Sequence, residues 1–289
     1  PTGIGKSALA LAHAELTNAH LTTVLTATIS LQEQYAGDFP DIVICKGRGN
    51  FPCTANGLTA AEGECIVRKG STCDSEYYEM RARVKGASRI VANYAIYLNE
   101  LFYTQSLFGH QDLRPDLLVC DEAHQLLDQL TSFETRTLDM ELAKKIFPVS
   151  TSRWRFPDLN TLEEGKEWCR EYDDKITDKA ETAVIQQDKH ARQWFRLRRQ
   201  VEGILAAPDD LILLKSGRVL EVSPLWPKKA ARTLIRSAHS VILMSATLFG
   251  GHLLADLLGL DPFLSDNPDA TYGAEDKAYS YYTVPSPFP

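Results

Sequence analysis

Two stretches of this sequence carry residues whose types and spacing can manage a nucleotide phosphate. The first is Pro1-Thr2-Gly3-Ile4-Gly5-Lys6-Ser7. Gly3 and Gly5 free the backbone to turn N–H groups toward an anion, with Thr2 in the same loop. Lys6 would reach the β- and γ-phosphates, and Ser7 would offer a hydroxyl to Mg2+. The second stretch, Asp116 to His124, reads DLLVCDEAH. Asp121 stands where a carboxylate can hold Mg2+ directly or through water, and Glu122 beside it can orient and deprotonate an attacking water. Each motif alone has a bland alternative, a glycine turn before a helix or a polar loop after a buried strand. Their pairing at a distance typical of one phosphate-binding domain points to ATP and Mg2+ as cofactors, with Lys6, Asp121 and Glu122 as the catalytic group.

Such residues need elements that bring them together. DLLVC is a continuous apolar run, as expected of a parallel strand buried on both faces, whose C-terminal end is where ligands bind. Leu21 to Thr28, Asp41 to Cys45, Arg89 to Asn93 and Ser240 to Met244 read as further strands. Helices are expected after Lys6, from Ile29 to Tyr35, from Asp74 to Lys85 and from Ala230 to Ala238. A strand order broken by phosphate loops and helices predicts a doubly wound α/β core. Ser245-Ala246-Thr247 follows the SVILM strand and belongs on the nucleotide face of that sheet. Leu211 to Leu214 and Val219 to Val222 read as a hairpin, and from Leu126 to about Leu205 no strand is expected.

Composition narrows the classes. The 289 residues are 44% hydrophobic and 24% charged, ordinary globular values. The net charge of -7 excludes a global basic field, so any nucleic acid must be met by local patches. No apolar run approaches the roughly 20 residues of a membrane-spanning helix. No signal peptide is visible, and six cysteines are too few for a disulfide scaffold, so an intracellular setting is expected.

Two segments stand outside the sheet pattern. From Lys46 to Cys73 the sequence is rich in Gly, Thr and Cys, and metal ligands can fold a segment that cannot bury enough apolar surface. Cys53, Cys65 and Cys73 are the candidate ligands, one short of a closed site. Cys45 is a possible fourth, and ordinary buried thiols are the alternative. Farther on, Arg192, Arg196 and Arg199 recur at helical spacing with Trp194 and Phe195 between them. Such a face can track a nucleic-acid backbone, although a solvated helix with core aromatics is the commoner meaning.

The motifs taken in order resemble the superfamily 2 helicases of the XPD and DinG type, the iron-sulfur DEAH-box DNA helicases. TGIGKS is similar to motif I, TATISLQEQY to motif Ia, DEAH to motif II and SATL to motif III. KGRGNFPC, CDSEYY and IVANYAIYL resemble the segments that frame the cluster domain of that family. The resemblance implies a RecA-like P-loop domain with a parallel sheet, a small Cys-containing insertion and a helical, arch-like insertion. The corresponding boundaries are 1–44, 88–130 and 211–264 for the RecA-like domain, 45–87 for the Cys insertion, 131–210 for the arch-like insertion and 265–289 for a linker.

It further implies roles. Ser7 and Asp121 would hold Mg2+, Thr2, Gly3, Gly5 and Lys6 would bind phosphate, and Glu122 would activate water. His124, Ser245, Ala246 and Thr247 would couple the nucleotide state to DNA grip, and Thr26 and Thr28 would lie along single-stranded DNA. Cys53, Cys65 and Cys73 would ligate a four-iron-four-sulfur cluster, one ligand short unless Cys45 completes it. The expected activity is ATP-dependent 5' to 3' unwinding of single-stranded or forked DNA, in repair or replication, by a monomer. Without the second RecA-like domain and its arginine finger, the chain is expected to hydrolyse ATP weakly or not at all. Two rivals remain: a nucleic-acid-stimulated translocase that does not separate strands, and a non-catalytic DNA-binding module with a vestigial P-loop. The intact Lys6, Ser7, Asp121 and Glu122 speak against the second.

Overall fold

The computed structural model describes residues 5–53, 59–60, 76–108, 114–139, 159–185, 191–216 and 219–247. Thr2, Gly3, Cys65, Cys73 and the expected linker at 265–289 lie outside the described residues. The chain divides into two compact units, Pro1–Leu130 with Lys228–Pro289, and Thr131–Pro227.

The first unit runs α1 (Lys6–Leu16), β1 (Thr22–Thr26), α2 (Ile29–Asp38), β2 (Val43–Cys45), α3 (Glu76–Lys85), β3 (Arg89–Asn93), α4 (Tyr94–Asn99), β4 (Leu117–Asp121) and α5 (Leu126–Glu134), the last crossing into the second unit. The second unit continues with β5 (Arg136–Asp139), α6 (Leu162–Ile185), α7 (Ala191–Leu205), β6 (Ile212–Ser216) and β7 (Val219–Ser223). The first unit then resumes with α8 (Lys228–Arg236) and β8 (Ser240–Met244).

Five parallel strands in the order β2-β3-β1-β4-β8 form the sheet of the first unit. Parallel neighbours need crossover connections, so the intervening helices cover its faces, and the central strands read as apolar runs. All five residues of β1 and all five of β4 are buried. On one face Val24, Val91, Leu117 and Val119 meet Ala10 and Leu11 of α1 and Tyr35 of α2. The small Ala10 and Ala14 let α1 lie close on the sheet, and each fully buried Val or Leu contributes roughly 1.5–3 kcal/mol. On α4, Tyr97 stacks at 4.8 Å on Phe108 and shares a 2.7 Å hydrogen bond with Ser237, which follows α8.

Local chemistry sets the element ends. Thr28 caps α2 by accepting from Leu31 N at 3.3 Å, and Asn93 caps α4 by accepting from Ile96 N at 2.8 Å. At the opposite end of the strands Asp116 accepts from His20 N and Leu21 N at 2.8 and 3.0 Å, which joins the entry to β1 to the entry to β4.

The second unit has its own core. Its antiparallel sheet, ordered β5-β7-β6, is covered by α6 and α7. Trp194, Leu197, Val201 and Ile204 recur at helical spacing on α7 and pack with Leu220 and Val222 of β7. A capping box opens α6: Thr161 accepts from Glu164 N at 3.2 Å while Glu164 accepts from Thr161 N at 3.2 Å. Two expectations change here. Arg136–Asp139 is a strand within the stretch read as strandless, because Leu138 alternates into this core while its partner β7 lies some eighty residues on. The hairpin assigned to the returning RecA-like segment, 211–264, pairs with β5, so residues up to Pro227 group with the second unit.

Candidate functional site

The phosphate-loop residues open α1. Gly5 is its N-cap at φ 76°, a left-handed conformation that costs glycine little and strains other residues. Lys6 and Ser7 are the first residues of the helix, at the end where backbone N–H groups have no helical partner and attract anions.

At the C-terminal end of β4 the chain turns sharply. Glu122 sits at φ 50°, left-handed for a residue with a side chain, and its N–H donates to Asp121 Oδ1 at 2.8 Å. Such a backbone costs on the order of 1–3 kcal/mol and persists only where its surroundings enforce it. The surroundings are tight. Tyr35 on α2 donates to Asp121 Oδ2 at 3.0 Å, and Tyr94 on α4 donates to the Asp121 carbonyl at 3.0 Å. Both tyrosine hydroxyls are pushed well above the ordinary phenol range, chiefly by burial. They remain neutral donors.

The turn aims Glu122 across the end of the sheet. Its Oε1 accepts from Lys6 Nζ at 3.2 Å, joining the phosphate loop to the acid. Its Oε2 lies 3.4 Å from Ser245 Oγ and 3.2 Å from His124 Nδ1, and those two are 2.8 Å apart. Ser245 is in reach because β8 pairs with β4 in a register that sets Asp121 opposite Met244, so the next residues of each strand meet. Thr247 N donates to Ser245 Oγ at 3.2 Å, and Gln125 Nε2 lies 3.3 Å from His124 Nε2. Ser245 Oγ thus lies between His124 Nδ1 and Glu122 Oε2, and Gln125 faces the other ring nitrogen of His124.

The fold therefore gathers Lys6, Ser7, Asp121, Glu122, His124, Ser245 and Thr247 at one end of one sheet, with Ala246 between the last two. The donor set suits Mg2+ and phosphate, because Ser7 and Asp121 supply hard oxygens and Lys6 a cation beside them. Thr26 and Thr28 are placed otherwise than along an open path. Thr26 is fully buried and donates to the Thr28 carbonyl at 3.0 Å, while Thr28 is exposed and caps α2.

Sequence reasoning missed Tyr35 and Tyr94. The available signal was polar residues at i, i+3 spacing, Gln32 and Tyr35, on the core-facing side of α2, both buried. Neither amide atom of Gln32 has a hydrogen-bond partner among the described residues.

The cysteine segment is described only at its margins. Cys53 is buried, and Pro52 bridges to Thr59. Arg81 on α3 donates to Glu100 Oε1 at 2.8 Å and to Tyr77 at 3.0 Å, and Phe51 packs edge-on to Tyr77 at 5.7 Å. Cys45 ends β2 in the core, and burial above all pushes its thiol up to about 12, the setting of an inert thiol. Among the described residues no three His, Cys, Asp or Glu side chains could together hold a metal.

In the second unit Arg136, Arg196 and Arg199 line an open cleft of about 260 Å3 with Thr135 and Gln200. Arg136 donates to the carbonyls of Phe133 and Glu134, both at 3.1 Å, and Gly203 allows its close approach: a Cβ there would lie 3.4 Å from Arg136 Cδ. Arg198 on the same helix pairs with Glu202 at 2.8 Å, whereas Arg196 and Arg199 have no carboxylate partner among the described residues. Trp194 is in the core and Phe195 is 36% exposed, so the aromatic and basic residues divide between inside and outside.

The fold is also that of known proteins. The chain is similar to a solved structure titled "XPD_Helicase" at TM-score 0.60 and 17% identity, over 90% of this chain and 56% of that one. A second, "Truncated XPD", matches at TM-score 0.56 and 17% identity over 90% of both chains. A third, "XPD_APO", matches at TM-score 0.53 and 18% identity, over 90% of this chain and 51% of that one. No family model and no curated protein matches the sequence. The chain thus has an XPD-type, helicase-like fold and spans about half the length of two of these three structures.

Proposed function

We propose that this chain is the first motor domain of an ATP-dependent DNA helicase, with the nucleotide at the carboxyl end of the parallel sheet. The observation that carries this is the contact chain Lys6–Glu122–Ser245–His124, which joins three separate motifs through one carboxylate. Lys6 moves from Glu122 to the nucleotide phosphates, and the freed Glu122 orients water and accepts its proton as the terminal phosphate leaves. Mg2+ held by Ser7 and Asp121 supplies charge neutralisation on the phosphate oxygens. Ser245 and His124 register whether Glu122 is bound to Lys6 or to water, a local change that can be passed to DNA contacts.

Further roles come from the family resemblance. A second RecA-like domain supplies an arginine finger, translocation runs 5' to 3' on single-stranded DNA, and the second unit is the arch-like insertion. The arginine cleft meets the DNA backbone. Cys53, Cys65 and Cys73 are the candidate ligands of an iron-sulfur cluster, with the fourth position open. Among the described residues no helix is long and apolar enough to cross a membrane.

The test is binding of a fluorescent ADP analogue by the wild-type chain and by Lys6→Ala. Mg2+-dependent binding that is lost in K6A is the expected result; equal binding by both proteins would sink the nucleotide site. Iron content and visible absorbance after anaerobic purification decide the cluster separately. A metal-free, colourless protein that binds nucleotide would favour the translocase that does not separate strands.

A further inference from the structure

We propose that Tyr35 is a positioning residue for the cation end of the phosphate site, holding the Asp121 carboxylate so that it presents oxygen lone pairs to a phosphate-bound divalent cation. This rests on the nucleotide-site proposal above. Tyr35 is 3% exposed, and its hydroxyl donates to Asp121 Oδ2 at 3.0 Å in a buried contact. A phenol from α2 therefore fixes the strand-end carboxylate, although it belongs to neither the phosphate loop nor β4. Its ring is seated in the core against Phe39, with centroids 6.2 Å apart, and packs with Val24, Val91 and Val119 of the sheet.

The hydrogen-bond capacities support a positioning role. A carboxylate has about four lone-pair positions. Asp121 commits one to its neighbour's N–H through Oδ1 and one to Tyr35 through Oδ2, which sets the plane of the group and leaves the other lone pairs uncommitted. Without the Tyr35 hydroxyl, Oδ2 of a carboxylate only 5% exposed loses its donor. Residues that orient metal ligands from behind typically change metal affinity by about 10- to 100-fold when removed.

The experiment titrates Mg2+ against binding of a fluorescent ADP analogue, in wild type, Tyr35→Phe and a variant with 4-aminophenylalanine at position 35, which keeps a donor at the same place. Affinity in EDTA and the melting temperature are measured beside it. The expected result is a Mg2+ midpoint raised about ten-fold in Y35F, near-wild-type affinity in EDTA, and a midpoint restored by the amino variant. An unchanged midpoint in a folded Y35F overturns the inference. So does an equal loss of affinity with and without Mg2+, which would make Tyr35 a general structural support. If Y35F does not fold, a raised midpoint in the amino variant overturns it and a wild-type midpoint supports it. Should the wild type bind no nucleotide in either condition, the proposed function fails and this inference falls with it.

Discussion

The carboxyl end of the parallel sheet and the arginine cleft of the second unit treat charge in opposite ways. At the sheet end Lys6 pairs with Glu122, which follows β4, Asp121 of β4 accepts from Tyr35 of α2, and Glu122 also accepts from Ser245 after β8. In the cleft Arg196 and Arg199 stand exposed beside Arg136 and have no carboxylate partner among the described residues, while Arg198 on the same helix is paired. A paired, partly buried network is pre-organised for a ligand that replaces one partner, as phosphate would replace Glu122 at Lys6 in the proposed function. Unpaired exposed cations gain little from the fold and are suited to a diffuse anionic ligand such as a nucleic-acid backbone.

The largest effect should come from the middle of the network. Glu122→Gln keeps the size and loses the base, so in a protein that also carries the second RecA-like domain DNA-stimulated phosphate release should fall by about 100- to 10,000-fold, with nucleotide affinity retained. Parallel loss of affinity would mean that Glu122 shapes the pocket instead. Next, Trp194→Ala removes the largest side chain on the core face of α7 and should destabilise the second unit by about 3–5 kcal/mol. Denaturant unfolding measures this, and nucleotide affinity at 25 °C should stay near wild type if the two regions are as separate in energy as in composition.

A smaller effect is expected in the cleft. The double variant R196A/R199A should weaken single-stranded DNA binding and flatten its salt dependence by a slope of about 1–2, with unchanged nucleotide binding. An unaltered salt slope would return these arginines to the solvated surface.

The smallest concerns the Arg81–Glu100 pair beside the cysteine segment. Burial raises the Glu100 carboxyl, but hydrogen bonds from Arg81, Thr104 and Ser106 outweigh it and leave the group below its ordinary value. Since the folded value is the lower one, the stability it contributes is complete above the unfolded carboxylate range, about pH 4.3. It is lost as pH falls through the folded value. Melting temperatures of wild type and Glu100→Gln measured across that range should converge toward acid, and parallel curves would argue against the pairing.

Much of this was open to inspection in the chain itself. β3 and β8 run over the ranges expected, because each is a short apolar run between polar turns, and α2 begins at its Thr28 cap. Gly5, Lys6, Ser7, Asp121 and Glu122 announce phosphate chemistry by type and spacing, and a local backbone conformation suffices to arrange the loop. β5 was hidden. Four residues with a single buried leucine become a strand only beside β7, a partner far along the chain. The same holds for the hairpin, whose assignment to one unit or the other depends on which sheet accepts it.

Within the site the division is similar. The sequence determined which groups could act on a phosphate, since that follows from side-chain chemistry and short spacing. Tertiary structure alone decided that Ser245 shares Glu122 with Lys6, because the register of β8 against β4 sets that meeting. It alone brought Tyr35 from the buried face of α2 to the Asp121 carboxylate. Hydrogen bonds across 86 and 123 residues are products of packing, and no local pattern encodes them.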